Sequence, residues 1–161
     1  MDFLQTRAFA GAFLRWHDEV LLMQRSIHKI ISPGLWAGIG GHIEQSESDS
    51  PITACLREIE EETGILPEQI EEIDLRYFAL CKTDKTLDSI YYFVGELKEK
   101  VPFRDTAEGM LYWIGLNDGL SLQMANHVKV IYTHWINNLN KNSLFCFVDS
   151  DFHLLNQGKT Q

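Results

Sequence analysis

The chain has 161 residues, 45% hydrophobic and 23% charged, which is ordinary globular composition and enough length for one domain with a sizeable core. Fourteen basic against 23 acidic residues leave a net charge of −9, which argues against a nonspecific nucleic-acid or anionic-membrane surface, since both need basic patches. No apolar run approaches the roughly 18 residues that span a bilayer. No basic, apolar leader is evident at Met1–Gln5. Cys55, Cys81 and Cys146 form no CxxC pair, so buried reduced thiols in a cytoplasmic protein are expected.

Residues 7–15 are apolar, with small residues and Phe, and read as a buried strand. A turn at His17-Asp18 leads to a second strand, 19–25. Ser32-Pro33-Gly34 is punctuation, and 36–44 combines a short strand with a glycine turn. The next segment predicts a helix over 51–63. Ser50 suits the N-cap, Pro51 the first helical position and Gly64 the residue past the end. Ile52, Cys55, Leu56 and Ile59 recur at i, i+3, i+4, i+7 and give it a core-facing stripe. Strands are expected at 74–82 and 89–97, joined by the polar turn 83–86, and again at 110–114. A second long helix spans 123–139, with Met124, Val128, Ile131, Trp135 and Leu139 at helical spacing, and a last strand covers 144–148. The polar stretch 156–161 reads as a frayed tail, leaving a single domain over 1–155. The result is an α/β chain, with a mixed sheet sandwiched by helices.

The first helix carries the chemistry. Glu58, Glu61 and Glu62 are spaced i, i+3, i+4, which places them on one face about a turn apart. Like charges stacked in this way destabilise an isolated helix, but a cluster of oxygen donors is what a hard divalent cation requires. Upstream lies the glycine-rich stretch Gly38-Ile39-Gly40-Gly41, where the absence of side chains leaves room for a phosphate.

Together these residues resemble the box of the Nudix hydrolase family: Gly, a spaced Glu, then Arg-Glu-apolar-x-Glu-Glu-x-Gly-apolar. Arg57 to Ile65 match the second half at every fixed position, and Gly41 and Glu47 keep the first spacing. Nine residues, Ser48 to Leu56, separate Glu47 from Arg57, where the family has seven. Counting back from Arg57 would put Asp49 in the acidic slot and Ile43 in the glycine slot. A two-residue insertion that keeps Gly41 and Glu47 is preferred, because Ile43 cannot replace a turn glycine. Glu47 and Asp49 both stay candidates for supporting the metal shell.

The resemblance implies an α/β/α Nudix sandwich, a Mg2+ cofactor that Mn2+ can replace, and hydrolysis of a phosphoanhydride. On this reading Glu58, Glu61 and Glu62 ligate the metal, one of them or a later glutamate is the general base, and Arg57 holds Glu61 in place. Glu108, and less so Asp105, resemble a loop that lends a further carboxylate to the metal. Arg25, Gly40, Gly41 and Glu47 are expected on the substrate side. Trp36 and Trp113 are candidates to stack on a base, although each is as readily core or rim. His42 stands where the family commonly has Lys, and His127 and His134, without a carboxylate partner, read as structural.

The expected substrate is a small-molecule nucleoside triphosphate, cleaved to monophosphate and pyrophosphate by a monomer or homodimer. The groups that read an oxidised purine in one branch of the family are missing, since Ala37 follows Trp36 and 124–127 reads Met-Ala-Asn-His. A nucleotide sugar or dinucleotide is the alternative substrate, and a non-catalytic Nudix-like nucleotide-binding domain the alternative class.

Overall fold

The computed structural model describes residues 3–104, 106–141, 144–148 and 153–156. Its framework is one mixed sheet of nine strands: β1 (Gln5–Trp16), β2 (Glu19–Arg25), β3 (Trp36–Ala37), β4 (Ile39–His42), β5 (Ile70–Lys82), β6 (Thr86–Leu97), β7 (Gly109–Gly115), β8 (Phe145–Val148) and β9 (His153–Asn156). Helices α1 (Pro51–Thr63) and α2 (Asn126–Ile136) cover its two faces.

β1 is the organising strand. Along one edge it pairs in parallel with β6, from Gln5↔Thr86 to Arg15↔Glu96. Its other edge is shared. Leu14 to Trp16 pair with Leu21 to Glu19 of β2, whereas Phe9 to Ala12 pair with His42 to Ile39 of β4. β2 in turn leaves β1 to pair Met23 with Ala37 of β3, and offers its far edge to β7. The segment β3–β4 is therefore a wedge between two diverging strands, and Gly40 and Gly41, expected in a turn, are instead paired strand residues whose missing side chains let β1 and the Glu58 carboxylate come close.

Strand alternation sorts the core into two halves. Ala10, Ala12 and Leu14 of β1 and Leu21 and Met23 of β2 face α1, where Cys55 and Ile59 are fully buried and Ile52 and Leu56 partly so. Phe13, Val20 and Leu22 face α2, with Val128, Ile131, Tyr132 and Trp135. Each fully buried Ile of this kind contributes about 1.5–3 kcal/mol, so packing anchors α1 despite its like charges. The Cys55 thiol points at the Gly11 carbonyl, 3.8 Å away.

α1 has the predicted bounds, and it stops at Gly64 in the left-handed conformation (φ 77°), whose N–H bonds the Glu60 carbonyl. Ser50 differs from the expectation. Its hydroxyl pairs with Thr53 Oγ1 at 2.7 Å instead of capping the helix. α2 is shorter than predicted. Met124 is drawn into an extended bridge with Trp36, and Asn137 turns its side-chain amide back onto the Thr133 carbonyl. β5 and β6 start earlier than expected. β9 was not anticipated, and Asn156, placed by sequence in the tail, pairs with Cys146. Residues 157–161 lie outside the described residues. Among the described residues no helix is long and apolar enough to cross a membrane.

Candidate active site

The acidic face of α1 lies over the Gly40–Gly41 segment. Glu62 is only 8% exposed, and its Oε2 accepts the Gly40 N–H over 3.3 Å. Burial, and then the charge of Glu58, push its carboxyl up to about 8; the Gly40 hydrogen bond opposes this, Glu108 adds to it and Arg25 subtracts. Glu58 is also raised, again mainly by burial, with Arg57 opposing. A Cβ on Gly41 would sit 2.5 Å from a Glu58 carboxylate oxygen, so only glycine lets that carboxylate lie against the strand.

Arg57 is the hub. Its Nη1 donates to Glu58 at 2.8 Å and to Glu61 at 3.1 Å, and its Nη2 donates to the His42 carbonyl at 3.0 Å. Nε and Nη2 together grip Glu47. Glu47 is buried, is held below the usual carboxylate range chiefly by Arg57, and accepts the Glu44 N–H. Asp49 is exposed two residues on, in the turn that leads to α1. The two extra residues are thus absorbed between Glu47 and Pro51, and Glu47 is the carboxylate that Arg57 reaches.

The remaining candidates divide. Arg25 ends β2 opposite Gly109, and its Nε donates to the Ile31 carbonyl. Glu108, just before β7, pairs with Lys29 at 2.6 Å, a partner that the sequence reading missed. Trp36 lies on the α2 side of the sheet, 5.3 Å from the Tyr112 ring. Trp113 does not join it. Alternation turns Trp113 to the α1 face with Leu111, four residues or about 13 Å along β7 from Gly109, where the Lys100 ammonium lies 5.5 Å above its ring. Trp113 thus takes a place at the rim of the core, in a cation–aromatic cluster with Trp16. His42 is exposed and packs on Phe9. His134 Nδ1 is 2.9 Å from the Tyr77 hydroxyl. His127 feels the Asp88 carboxylate, which opposes the lowering by burial, so a carboxylate neighbour exists after all. Asp105 lies outside the described residues.

Among the described residues no three carboxylate, imidazole or thiolate groups converge closely enough to hold a metal as they stand. The reason is electrostatic: each carboxylate has gone to its own N–H donor, Glu62 to Gly40, Glu58 and Glu61 to Arg57, and Glu108 to Lys29. The donor set nonetheless fits a hard divalent cation. It is all oxygen, and Glu62 is buried where two carboxylate charges bear on it, offset by the Gly40 N–H and then by Arg25.

A mixed sheet between two helices, with an arginine-linked glutamate helix over the paired glycines of β4, is the architecture of a Nudix hydrolase. The NUDIX domain family matches residues 4–135, and the chain belongs to that family, a MutT-like pyrophosphohydrolase by class. The Mutator MutT protein of Bacillus halodurans is 25% identical and superposes with a TM-score of 0.67 over 93% of this chain and 95% of its own. The NUDIX domain of Shewanella oneidensis NrtR, complexed with ADP ribose, is 20% identical, with a TM-score of 0.65 over 87% of this chain and 91% of its own. An Ap4A hydrolase of C. elegans is 19% identical, with a TM-score of 0.61 over 81% and 97%. Comparison with curated proteins gave no match.

Proposed function

We propose that the protein is a Mg2+-dependent hydrolase that cleaves a phosphoanhydride bond of a nucleoside triphosphate, releasing a monophosphate and pyrophosphate. The observation that carries this reading is the buried Glu62 carboxyl, which accepts the Gly40 N–H at 3.3 Å next to Glu58, over two strand glycines whose missing side chains let these carboxylates lie against β4. Glu58 and Glu62, with Glu61 and Glu108 swinging in, would hold the cation, which when bound neutralises phosphate oxygens and acidifies a water. Mn2+ is expected to substitute, since it accepts the same hard oxygen donors.

The chain's own residues set the geometry. Arg57 orients Glu58 and Glu61 and is itself fixed by Glu47, so Glu58 is held against Gly41 while the exposed Glu61 is free to turn toward the cation. Glu58, half-buried and raised, is positioned to accept a proton from an attacking water. Arg25 supplies positive charge toward the phosphates, and Trp36 with Tyr112 offers an aromatic surface to a base.

The triphosphate assignment draws support from the MutT relative. The ADP-ribose complex of the NrtR domain and the Ap4A hydrolase favour, as a second reading, a nucleoside diphosphate derivative or dinucleotide. The same fold bound to ADP ribose also keeps a binding role in view. Product analysis decides between them. Purified protein with Mg2+ should convert several triphosphates to monophosphate and pyrophosphate, and excess chelator should abolish this. Full activity in chelator would sink the metal-dependent reading. Cleavage of ADP ribose or Ap4A alone would move the substrate class.

A further inference from the structure

The loop between β2 and β3, residues 26–35, leaves the sheet where Arg25 of β2 pairs with Gly109 of β7. Its base is tied by Arg25 N–H to the Leu35 carbonyl and Gly34 N–H to the Arg25 carbonyl. It is also joined to Glu108 twice: the Ser26 N–H donates to the Glu108 carbonyl at 3.0 Å, and the Lys29 ammonium meets the Glu108 carboxylate at 2.6 Å. The side chains of this pair are 31% and 40% exposed, so it is a solvent-facing ion pair that contributes little to stability and exchanges readily. Its position is what gives it meaning. Glu108 immediately precedes Gly109, which pairs with Arg25 across β2–β7, and the Glu108 charge reaches buried Glu62. The ammonium therefore neutralises a carboxylate whose charge acts on the buried Glu62 and that Arg57 does not hold.

We propose that Lys29 is a substrate-gripping residue whose ammonium passes from Glu108 to the diphosphate when substrate arrives, releasing the Glu108 carboxylate to the metal site. The inference rests on the metal-dependent phosphoanhydride reading above. A diphosphate carries more charge than a single carboxylate and offers several acceptor oxygens, so it is the better partner for a mobile ammonium. The exchange makes binding of the anion and completion of the cation site a single event. Before substrate, Lys29 satisfies Glu108; after it, both groups have partners of higher charge. The exposed Ile30 (97%) and Ile27 (76%) leave the loop tip few packing contacts to break as Lys29 moves.

The test measures two affinities by calorimetry, Mn2+ alone and manganese pyrophosphate, on the full chain. Lys29→Ala should weaken manganese pyrophosphate about tenfold, the scale of a lost charge-assisted hydrogen bond, while tightening Mn2+ alone about threefold, because Glu108 is set free. Lys29→Arg should restore pyrophosphate binding. In a Glu108→Gln background, the gain in Mn2+ affinity on Lys29→Ala should vanish while the pyrophosphate loss remains. A gain that persists in that background would indicate only a diffuse field effect and overturn the exchange. Two affinities that fall together, or do not move, would assign Lys29 a structural role and also overturn it. If the wild-type chain binds neither probe, the functional reading itself fails and takes this inference with it. Unchanged melting temperatures of the variants keep folding out of the comparison.

Discussion

Two arginine–carboxylate clusters lie on either side of β1, and they differ in stoichiometry. On the α2 side, Arg7 and Asp88 pair one to one through two hydrogen bonds of 2.7 and 2.6 Å, and Asp88 is held below its ordinary range mainly by Arg7. On the α1 side, one arginine faces Glu47, Glu58 and Glu61, with Glu62 buried beside them and no arginine of its own in contact. The first cluster is neutral and complete. The second holds more carboxyls than its arginine can neutralise, in a place where burial makes the charged form costly. Charge that folding does not balance is met by a proton or by something that binds, and this distinguishes the two clusters.

The comparison breaks most visibly at Glu62 and Glu58. Changing either to Gln should lower turnover about 10²-fold or more, the scale of a lost catalytic electrostatic group, while melting temperature holds or rises because repulsion is relieved. Asp88→Asn should do the reverse, lowering melting temperature with turnover nearly intact. Steady-state kinetics alongside thermal melts would show whether the two clusters trade places.

Arg57→Ala comes next. It leaves buried Glu47 without its main partner and releases Glu58 and Glu61, so turnover should fall about tenfold or more and the melting temperature with it, with partial recovery in Arg57→Lys. Arg7→Ala should lower only the melting temperature.

The third contrast is in pH. The Glu62 pKa is raised from 4.5 in the unfolded chain to about 8 in the folded protein, so between those values the folded state binds more protons. Its contribution to stability is fully present below about 4.5 and is lost as pH rises through 8. Thermal melts of metal-free protein should therefore decline across this window. Glu62→Gln or added Mg2+ should flatten the decline. The lowered Asp88 acts oppositely, adding stability that is lost as pH falls through its depressed folded value. A metal-free melting curve that is flat from pH 5 to 8 would contradict the burial of uncompensated charge at Glu62.

Smaller effects sharpen the picture. Asp49→Ala, at an exposed turn, should change stability by less than about 0.5 kcal/mol and leave turnover intact, in contrast to Glu47→Ala, which unpairs Arg57. Trp113→Phe should leave KM unchanged, whereas Trp36→Ala should raise it a few-fold, about the worth of one stacking contact.

Local chemistry made α1 legible in the sequence: Pro51 fits only a first turn and Gly64 only a left-handed exit, and both bounds follow. β2 was equally legible because its apolar run is bounded by a turn and a proline loop. α2 was read too long because Met124 keeps helical spacing while spending its backbone on a bridge to Trp36, which is tertiary information. The same holds within the site. Arg57 and Glu61 are four apart and their contact can be read from periodicity, but Lys29 and Glu108 meet only through strand pairing between β2 and β7. Alternation in β7 separates Tyr112 from Trp113 in any sequence reading. Which of the two shares a face with Trp36 depends on the register of β2 with β3 and β7, where Gln24 pairs with both Trp36 and Met110, and no local pattern encodes that.

The buried thiol of Cys55 has a further use. Lying under α1 against the Gly11 carbonyl, and pushed up to about 12 by burial and then by Glu58, it is a nucleophile that alkylating reagents cannot reach while the helix is seated. Its modification by a thiol reagent, resolved from Cys81 and Cys146 by peptide mass, would therefore clock how often the acidic helix lifts from the sheet. Any ligand that bridges Glu58 and Glu62 to the glycines of β4 should slow that clock.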